Sequence, residues 1–118
     1  MISKNKHLHF IGICGIGMSG IAKILLKQGY NVSGCDQYLD PIRAKELQSL
    51  GCNIGNHQSD ICNDSTITTI VRSSDIPLNH PEVVAALKKN ISIKLRAEIL
   101  AEIMSDHTNS IAIAGALS

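Results

Sequence analysis

The sequence predicts an α/β fold built on a doubly wound parallel sheet of about five strands, with helices on both faces. Apolar, β-branched segments alternate with amphipathic segments of helical period along most of the chain, and the connections between them are short. This alternation favours right-handed crossovers between parallel strands. The first strand also runs through a glycine-rich turn directly into the first helix, as in Rossmann-like domains.

The glycine-rich turn lies in residues 9–26, HFIGICGIGMSGIAKILL, where Gly15, Gly17 and Gly20 have the spacing G-x-G-x-x-G. One glycine of such a motif makes the turn, one lets the backbone approach an anion, and one lets the helix pack close to the strand. The helix N-terminus adds unpaired N–H groups and the positive end of the helix dipole. The segment therefore predicts a phosphate-bearing ligand, with tight packing alone as the alternative.

Hydrophobic periodicity predicts the remaining elements. We expect strands at 7–13, 31–35, 52–54, 66–71, 91–94 and 110–114, and helices at 18–28, 41–50, 81–89 and 96–104. Asp40 and Pro41 indicate an N-cap followed by proline at the first helical position, while Gly29 and Gly51 are expected to follow helix ends. The inward faces of the second to fourth helices are expected to carry Ala44, Leu47, Leu50, Val84, Leu87, Ile99, Leu100, Ile103 and Met104.

Composition and charge limit the classes of function. With 118 residues, 44% of them hydrophobic and 18% charged, the chain has the make-up of one ordered domain. A net charge of +1 gives no basis for a nucleic-acid or anionic-membrane partner, and aromatic residues, at 3%, are too few to stack bases. No apolar segment approaches the roughly 20 residues that span a bilayer, and no signal-peptide pattern is present. We therefore expect a cytoplasmic protein that binds neither nucleic acid nor membrane.

Neither a metal site nor a catalytic group is predicted from the histidines, cysteines and carboxylates. The four cysteines form no C-x-x-C pair and are expected to be reduced and mostly buried. His7 and His9 share one face of the first strand, but no third ligand is apparent. Glu98 and Glu102 lie one turn apart on a helix, where solvation is more common than catalysis.

Polar residues follow the second and fourth predicted strands, at the edge where ligands of such sheets bind. Asp36 ends the second strand, where a carboxylate accepts hydrogen bonds from a ribose or a base N–H, with a solvated residue or helix cap as the alternative. Ser73 and Ser74 follow the fourth strand and either bind phosphate or sugar or form a turn. His57 lies in a loop near the same edge, although a lone loop histidine is more often solvated. These residues alone do not choose the nucleotide.

Four segments of the chain together resemble the N-terminal domain of the Mur ligase family. They are residues 9–22 with 32–36, residues 50–57, residues 71–86, and the stretch within 96–115 that holds RAEILAEIM and IAIAG. The resemblance covers essentially all 118 residues. It is more specific than the glycine motif, because ordinary dehydrogenases do not share the later three segments.

The resemblance implies a Rossmann-like domain, at residues 1–109, that binds the UDP part of UDP-N-acetylmuramate rather than NAD. It implies substrate-binding positions at Gly12, Gly15, Ile16, Gly17, Met18, Asp36, Gln37, His57, Ser73 and Ser74. The loop glycines would face the diphosphate and Asp36 would lie near the uridine. His57 and the two serines would lie near the diphosphate or the sugar.

Complete enzymes of this family form an amide at the expense of ATP, and the resemblance is to members that add L-alanine to UDP-N-acetylmuramate. The substrate carboxylate is phosphorylated and the alanine amine then attacks it, with Mg²⁺ neutralising the phosphates. A strand like IAIAG continues in the family into Thr-His-Gly-Lys-Thr, whereas here Gly115 is followed by ALS. We therefore expect residues 110–118 to begin an ATP-binding domain, with Gly115 in its loop. The chain alone is expected to bind neither ATP nor Mg²⁺ and to be inactive.

Two residues depart from the family pattern, and two other classes of function stay open. Cys14 stands where the family usually has glycine, and it would be strained if the turn required a positive φ. Arg72 is less apolar than expected at the end of a buried strand. The alternatives are a non-catalytic NAD-binding sensor domain and the cofactor domain of a small dehydrogenase.

Overall fold

A computed structural model of the chain describes residues 6–56 and 64–105. In these ranges the chain forms β1 (His7–Ile11), α1 (Ile16–Lys27), β2 (Asn31–Asp36), α2 (Pro41–Ser49), β3 (Asn53–Asn56), β4 (Thr69–Arg72), α3 (Pro81–Lys88), β5 (Ser92–Leu95) and α4 (Arg96–Met104). The strand expected at 110–114 lies outside the described residues. Of the helices in the described ranges, none is long and apolar enough to cross a membrane.

The five strands form one parallel sheet in the order β3-β2-β1-β4-β5. β1 lies at the centre, and all five of its residues are buried. The chain winds outward from β1 to β3 and then returns to place β4 on the other side of β1. The carboxyl ends of β1 and β4 therefore form the switch point at which ligands of such sheets bind. The predicted doubly wound parallel sheet is confirmed.

Helices cover both faces of the sheet, as predicted. On one face, Leu8, Phe10 and Val32 pack against apolar residues of α1, α2 and α4. On the opposite face, Val83 of α3 packs against Ile11 and neighbouring apolar residues. Because successive residues of a strand point to opposite sides, neighbours along β1 divide between the two cores.

α1, α2 and α3 end in the same way, with one residue in the left-handed conformation just past the C-cap. These residues are Gly29, Gly51 and Asn90, with φ of +89°, +96° and +58°. The following N–H then donates back to a carbonyl of the last turn, from Tyr30 to Leu25, from Cys52 to Leu47 and from Ile91 to Ala86. This is the Schellman arrangement. The two glycine stops are confirmed, whereas the stop at Asn90 was not predicted.

α2 begins as predicted. Asp40 is its N-cap, and the carboxylate accepts hydrogen bonds from the N–H of Ile42 at 3.0 Å and of Arg43 at 3.2 Å. Pro41 occupies the first turn, where its missing N–H leaves no bond unmade. The start of this helix is therefore fixed by two adjacent residues alone.

β4 begins at Thr69, three residues later than predicted. The carboxylate of Asp64 accepts hydrogen bonds from both the N–H and the hydroxyl of Thr66, at 2.8 and 2.7 Å. The N–H of Ile67 donates to the carbonyl of Asp64, so this segment forms a turn before the chain enters the sheet. β1 is also shorter than predicted, because Gly12 turns the chain away with φ of +79°.

The predicted inward face of α3 is wrong by one position. Val83 and Ala86 are buried, whereas Leu87 is 53% exposed and Val84 is only half-buried. Glu82 is buried beside Val83, where its carboxylate contacts polar side chains of β1 and β2. These contacts set the rotation of the helix about its axis, which apolar periodicity alone does not reveal.

The inward faces of α2 and α4 are mostly as predicted. Buried residues are Ala44, Leu47, Ile99 and Ile103, and Leu100 is partly buried. Leu50 and Met104 are wrong, since they are 37% and 50% exposed. Leu50 is the C-cap of α2 and Met104 is the last residue of α4, so both lie past the turns that cover the sheet.

The cysteines that the structure describes are reduced and buried, as predicted. They are Cys14, Cys35 and Cys52, while Cys62 lies outside the described residues. Burial, with a smaller contribution from the nearby Cys14, raises the pKa of the Cys52 thiol to about 12. Cys52 is therefore protonated at neutral pH and packs as a small apolar side chain.

Candidate functional site

A cleft of about 420 Å³ opens at the carboxyl edge of the sheet, beside the switch point. Its walls come from the loop after β1, the N-terminus of α1, the end of β2, the loop after β4 and the start of α4. The lining residues are Gly12, Gly15, Ile16, Gly17, Met18, Asp36, Ser73, Ser74, Asp75, Ile76 and Arg96. Eight of the ten positions predicted to bind substrate therefore line one cleft.

Three predicted site residues are not placed in the cleft. Gln37 follows Asp36, but it is exposed and is not part of the lining. His57 and Gly115 lie outside the described residues, so their roles stay predictions.

The loop after β1 is a tight turn, and of the two glycines in it, Gly12 and Gly15, it is Gly12 that has a positive φ. Gly12 has φ of +79°, which favours glycine, and its N–H donates to the carbonyl of Cys35 at 2.8 Å. The N–H of Gly15 then donates to the carbonyl of Gly12 at 3.1 Å and closes the turn. Gly15 itself has φ of −63° and serves as the N-cap of α1.

The N-terminus of α1 faces the cleft without a side-chain cap. Gly15 offers no side chain that could accept a hydrogen bond, and the N–H of Ser19 is the one that bonds to the Gly15 carbonyl, at 2.8 Å. The amides of residues 16–18 precede this first helical bond, and these three residues line the cleft. Unpaired amides and the positive end of the helix dipole make this a suitable place for an anion.

Arg96 adds a positive charge beside these amides. It is the first residue of α4, and a Cβ built on Gly17 would lie 3.1 Å from its guanidinium carbon. Any side chain at Gly17 would therefore require the guanidinium of Arg96 to move away from the start of α1. Arg96 was missed from the sequence, although it follows β5 directly and so stands at the same edge as the other site residues.

Asp36 belongs to the cleft and also holds the loop in place. One carboxylate oxygen accepts a hydrogen bond from the N–H of Cys14 at 2.9 Å, and the other accepts one from the N–H of Tyr38 at 3.3 Å. The carbonyl of Cys14 accepts a hydrogen bond from the guanidinium of Arg43 at 3.1 Å. Both polar groups of the Cys14 peptide are thus fixed by side chains of β2 and α2.

Cys14 fits the loop without backbone strain. Among the described residues, Asn90 is the one non-glycine residue with a positive φ, so Cys14 needs no glycine conformation. Cys14 is therefore free of the backbone strain that a positive φ would cause in a residue with a side chain.

The loop after β4 forms the opposite wall. Ser73 and Ser74 line the cleft, and the N–H of Ile76 donates to the carbonyl of Ser73 at 3.1 Å, so the pair also forms a turn. Arg72 donates from its guanidinium to the carbonyl of Ile76 at 2.9 Å. This bond explains why an arginine ends a buried strand, since it holds the loop against the sheet.

The third glycine of the motif does not have the role expected for it. A Cβ built on Gly20 would meet no atom within 4 Å among the described residues, so no close packing depends on this position. Close packing falls instead on Gly34 of β2, where a Cβ would lie 2.6 Å from the Cβ of Ile13. The close contact that requires a glycine therefore lies between β2 and the loop after β1, and not at Gly20.

Glu98 and Glu102 both have protein partners and lie outside the cleft. Glu98 accepts a hydrogen bond from the N–H of Leu95 at 3.1 Å and so satisfies the first turn of α4. Glu102 pairs with Lys94, and this bond raises the pKa of the lysine. Both residues stabilise α4 on β5, and neither lines the cleft.

The sheet and the cleft define a domain of the Rossmann-like α/β class, with a binding edge suited to a phosphate-bearing ligand. The chain belongs to the Mur ligase family, because residues 7–108 match the family described as the Mur ligase family, catalytic domain. The predicted resemblance is therefore confirmed.

Relatives in this family share nearly half of the sequence. The chain is 46% identical over 116 residues to UDP-N-acetylmuramate–L-alanine ligase of Desulfotalea psychrophila. The matched residues make up 98% of this chain and 25% of that protein. It is 43% identical over 114 residues to the protein of the same name from Clostridium beijerinckii, covering 95% and 24%. The chain thus spans about a quarter of the length of these relatives.

Solved structures show the same arrangement. UDP-N-acetylmuramate-alanine ligase from Thermotoga maritima matches 84% of this chain and 23% of its own, with a TM-score of 0.73 and 27% identity. An imine reductase from Myxococcus stipitatus, in complex with NAD⁺, matches 77% of this chain and 40% of its own, with a TM-score of 0.51 and 17% identity. The second likeness shows the fold alone.

Proposed function

We propose that this chain is the UDP-N-acetylmuramate-binding domain of a cytoplasmic ligase that adds L-alanine to that substrate with ATP in peptidoglycan synthesis. The observation that carries the proposal is the uncapped N-terminus of α1 beside the guanidinium of Arg96, at the switch point of the sheet. The names of the relatives, which match 95 to 98% of the chain, support the choice of substrate.

The diphosphate of the substrate would bind at the start of α1. The amides of residues 16–18 and the guanidinium of Arg96 offer hydrogen-bond donors and positive charge to the same small volume. Charged hydrogen bonds of this kind contribute about 1.5–3 kcal/mol each. Gly17 lets the phosphate approach the backbone, because no side chain stands between the amides and Arg96.

The two carboxylates of the cleft suit the neutral parts of the ligand. Asp36 and Asp75 would repel a diphosphate, but they accept hydrogen bonds from ribose hydroxyls or a base N–H. We place the uridine beside Asp36, with the exposed Gln37 at its outer edge. The hydroxyls of Ser73 and Ser74, together with His57, would contact the diphosphate or the N-acetylmuramate ring.

In the complete enzyme, the substrate carboxylate would be phosphorylated by ATP with Mg²⁺ and then attacked by the amine of L-alanine. We propose that residues 1–109 form the substrate domain and that residues 110–118, with Gly115, begin the ATP-binding domain. The 118 residues contain no G-x-x-x-x-G-K-[ST] sequence, so this chain is expected to bind substrate without hydrolysing ATP. No group that reacts with the substrate is assigned within these residues.

Calorimetry with four ligands tests the proposal. UDP-N-acetylmuramate and UDP should bind the chain, whereas NAD⁺ and NADP⁺ should not. Gly17→Val should weaken UDP binding by more than about tenfold, since the new side chain displaces Arg96 and covers the amides. The matched control is Gly20→Ala, which changes a glycine of the same helix in open space and should keep wild-type affinity.

Three outcomes would contradict the proposal. Binding only of the nicotinamide nucleotides would favour the sensor or dehydrogenase class. Wild-type affinity in folded Gly17→Val would remove the phosphate from the start of α1. Hydrolysis of ATP by the 118-residue chain would contradict the proposal that substrate binding and ATP binding belong to separate domains.

A further inference from the structure

A group of three buried side chains lies behind the glycine loop, on the face of the sheet that α3 covers. His9 comes from β1, Cys35 from the neighbouring strand β2, and Glu82 from α3. His9 and Cys35 are fully buried and Glu82 is 7% exposed. One ligand atom of each, an imidazole nitrogen, Sγ and a carboxylate oxygen, lies within 4.8 Å of the others.

A chain of hydrogen bonds connects His9 to the surface. The hydroxyl of Thr66 donates to the carboxylate of Asp64 at 2.7 Å, and its oxygen lies 2.8 Å from Nδ1 of His7. The hydroxyl oxygen of Ser33 bridges the two histidines, at 2.6 Å from Nε2 of His7 and 2.7 Å from Nδ1 of His9. A hydroxyl group and a neutral imidazole can each donate one proton. The direction of the hydrogen bond to Asp64 therefore fixes the direction of every other bond in the series.

The direction runs from His9 outward to Asp64. Thr66 gives its proton to the carboxylate, which is an acceptor only, so Nδ1 of neutral His7 donates to Thr66 and Nε2 of His7 accepts from Ser33. The hydroxyl of Ser33 is then used, so Nδ1 of His9 must donate to it. A neutral His9 therefore presents a bare lone pair at Nε2.

That lone pair faces a carboxylate. Nε2 of His9 lies 3.4 Å from an oxygen of Glu82 and has no hydrogen-bond partner among the residues that the structure describes. The Sγ of Cys35 lies 2.8 and 3.0 Å from the two oxygens of Glu82. Two electron-rich atoms directed at each other in a buried site are unfavourable unless a cation lies between them.

We propose that His9, Cys35 and Glu82 bind a zinc ion. Nitrogen, sulfur and oxygen ligands in this combination are typical of Zn²⁺, which binds them at about 2.0–2.3 Å. A thiolate and a carboxylate balance the two positive charges, so the buried site is neutral when the ion is bound. The bond from Nδ1 of His9 to Ser33 orients the imidazole, as outer partners of zinc-binding histidines do.

Binding replaces one bond to hydrogen by three bonds to metal. The S–H bond of Cys35 breaks, its proton leaves to solvent, and Zn²⁺ accepts lone pairs from Sγ, from Nε2 of His9 and from the carboxylate of Glu82. A water molecule completes four ligands. The ion would enter through a narrow cavity beside α3 that Glu82, Ala86 and Asp64 help to line.

The site lies against the loop that forms the cleft. The backbone carbonyl of Cys35 accepts hydrogen bonds from the N–H groups of Gly12 and Ile13, at 2.8 and 3.1 Å. Fixing the side chain of Cys35 would therefore also restrict the motion of the turn after β1, which is bonded to the carbonyl of the same residue. The zinc proposal itself rests on contacts of the α3 face and does not depend on which ligand the cleft binds.

Titration of the metal-free chain with Co²⁺ tests the proposal, since Co²⁺ substitutes for Zn²⁺ and its spectrum reports thiolate ligation. We expect one Co²⁺ per chain, with a sulfur-to-metal charge-transfer band that added Zn²⁺ abolishes. Cys35→Ser should remove this band, and Glu82→Gln should weaken binding by at least about tenfold, as loss of even an outer partner does. Cys52→Ala and Cys62→Ser are the matched controls and should keep the band.

Folding of each variant is checked by circular dichroism. If Cys35→Ser does not fold, the variant Cys14→Ser/Cys52→Ala/Cys62→Ser keeps Cys35 as the one thiol, and a band in that protein supports the site. Absence of the band in the wild-type chain, with a Tm unchanged by Zn²⁺, would overturn the proposal in favour of a proton shared by His9 and Glu82. A band that persists in folded Cys35→Ser would also overturn it.

Discussion

Glycines perform three different tasks around the cleft. Gly12 adopts a positive φ that turns the chain out of the sheet, and Gly17 leaves room for the guanidinium of Arg96. Gly34 has neither role, since it sits within β2 and makes room for the side chain of Ile13. Gly20 has none of these roles. The spacing G-x-G-x-x-G therefore identifies the loop correctly but does not predict the role of each glycine.

Substitution of Gly34 should therefore be costly, although it lies outside the motif. Gly34→Ala places a methyl group against Ile13 in a buried strand, and we expect a loss of about 1–3 kcal/mol in the free energy of unfolding. Gly20→Ala is the control, and it should gain about 0.5–1 kcal/mol because alanine favours the helix. Urea denaturation measures both, and equal effects of the two substitutions would contradict the account.

The site residues that the sequence revealed are those with a local signal. Asp36 and Ser73 follow recognisable strands, and their place at the carboxyl edge follows from the parallel sheet alone. Arg96 was missed because it reads as the first residue of an amphipathic helix, and its position beside Gly17 depends on how α4 packs on the sheet. The grouping of Glu82 with His9 is likewise a tertiary contact between α3 and β1, with no signature in sequence spacing.

Among the helices and strands, the helix ends with recognisable capping residues were predicted most accurately from the sequence. Asp40 and Gly51 fixed both ends of α2, because each acts through its own backbone or side-chain hydrogen bonds. α3 was harder to predict, since its buried face includes Glu82 and excludes Leu87. The start of β4 was missed because hydrogen bonds from Thr66 to Asp64 override the strand preference of β-branched residues.

Asn90 closes α3 in the conformation that glycine adopts most easily. Its φ of +58° matches the role of Gly29 and Gly51, so Asn90→Gly should raise the free energy of unfolding by up to about 1 kcal/mol. Asn90→Ala should lower it by a similar amount. Thermal unfolding compares the three proteins, and a Tm of the alanine variant at or above that of the glycine variant would refute the assignment.

In the whole molecule, the order of the strands brings the chemistry to two places. The return of the chain from β3 to β4 sets the loops after β1 and β4 and the start of α4 around one cleft. On the α3 face, the same pairing of β1 with β2 places His9 beside Ser33 and near Cys35. The fold is shared with NAD-binding proteins, so the ligand is decided by residues at the edge and not by the sheet.

We propose that the start of α1 binds the diphosphate of a UDP-linked substrate, and a two-dimensional ¹H–¹⁵N NMR titration with UDP measures this binding residue by residue. The largest shifts should fall on the amides of residues 16–18 and on the side-chain Nε of Arg96, while amides of α3 should stay unchanged. Shifts that are largest on α3, or the absence of shifts along the start of α1 at saturating UDP, would contradict the account.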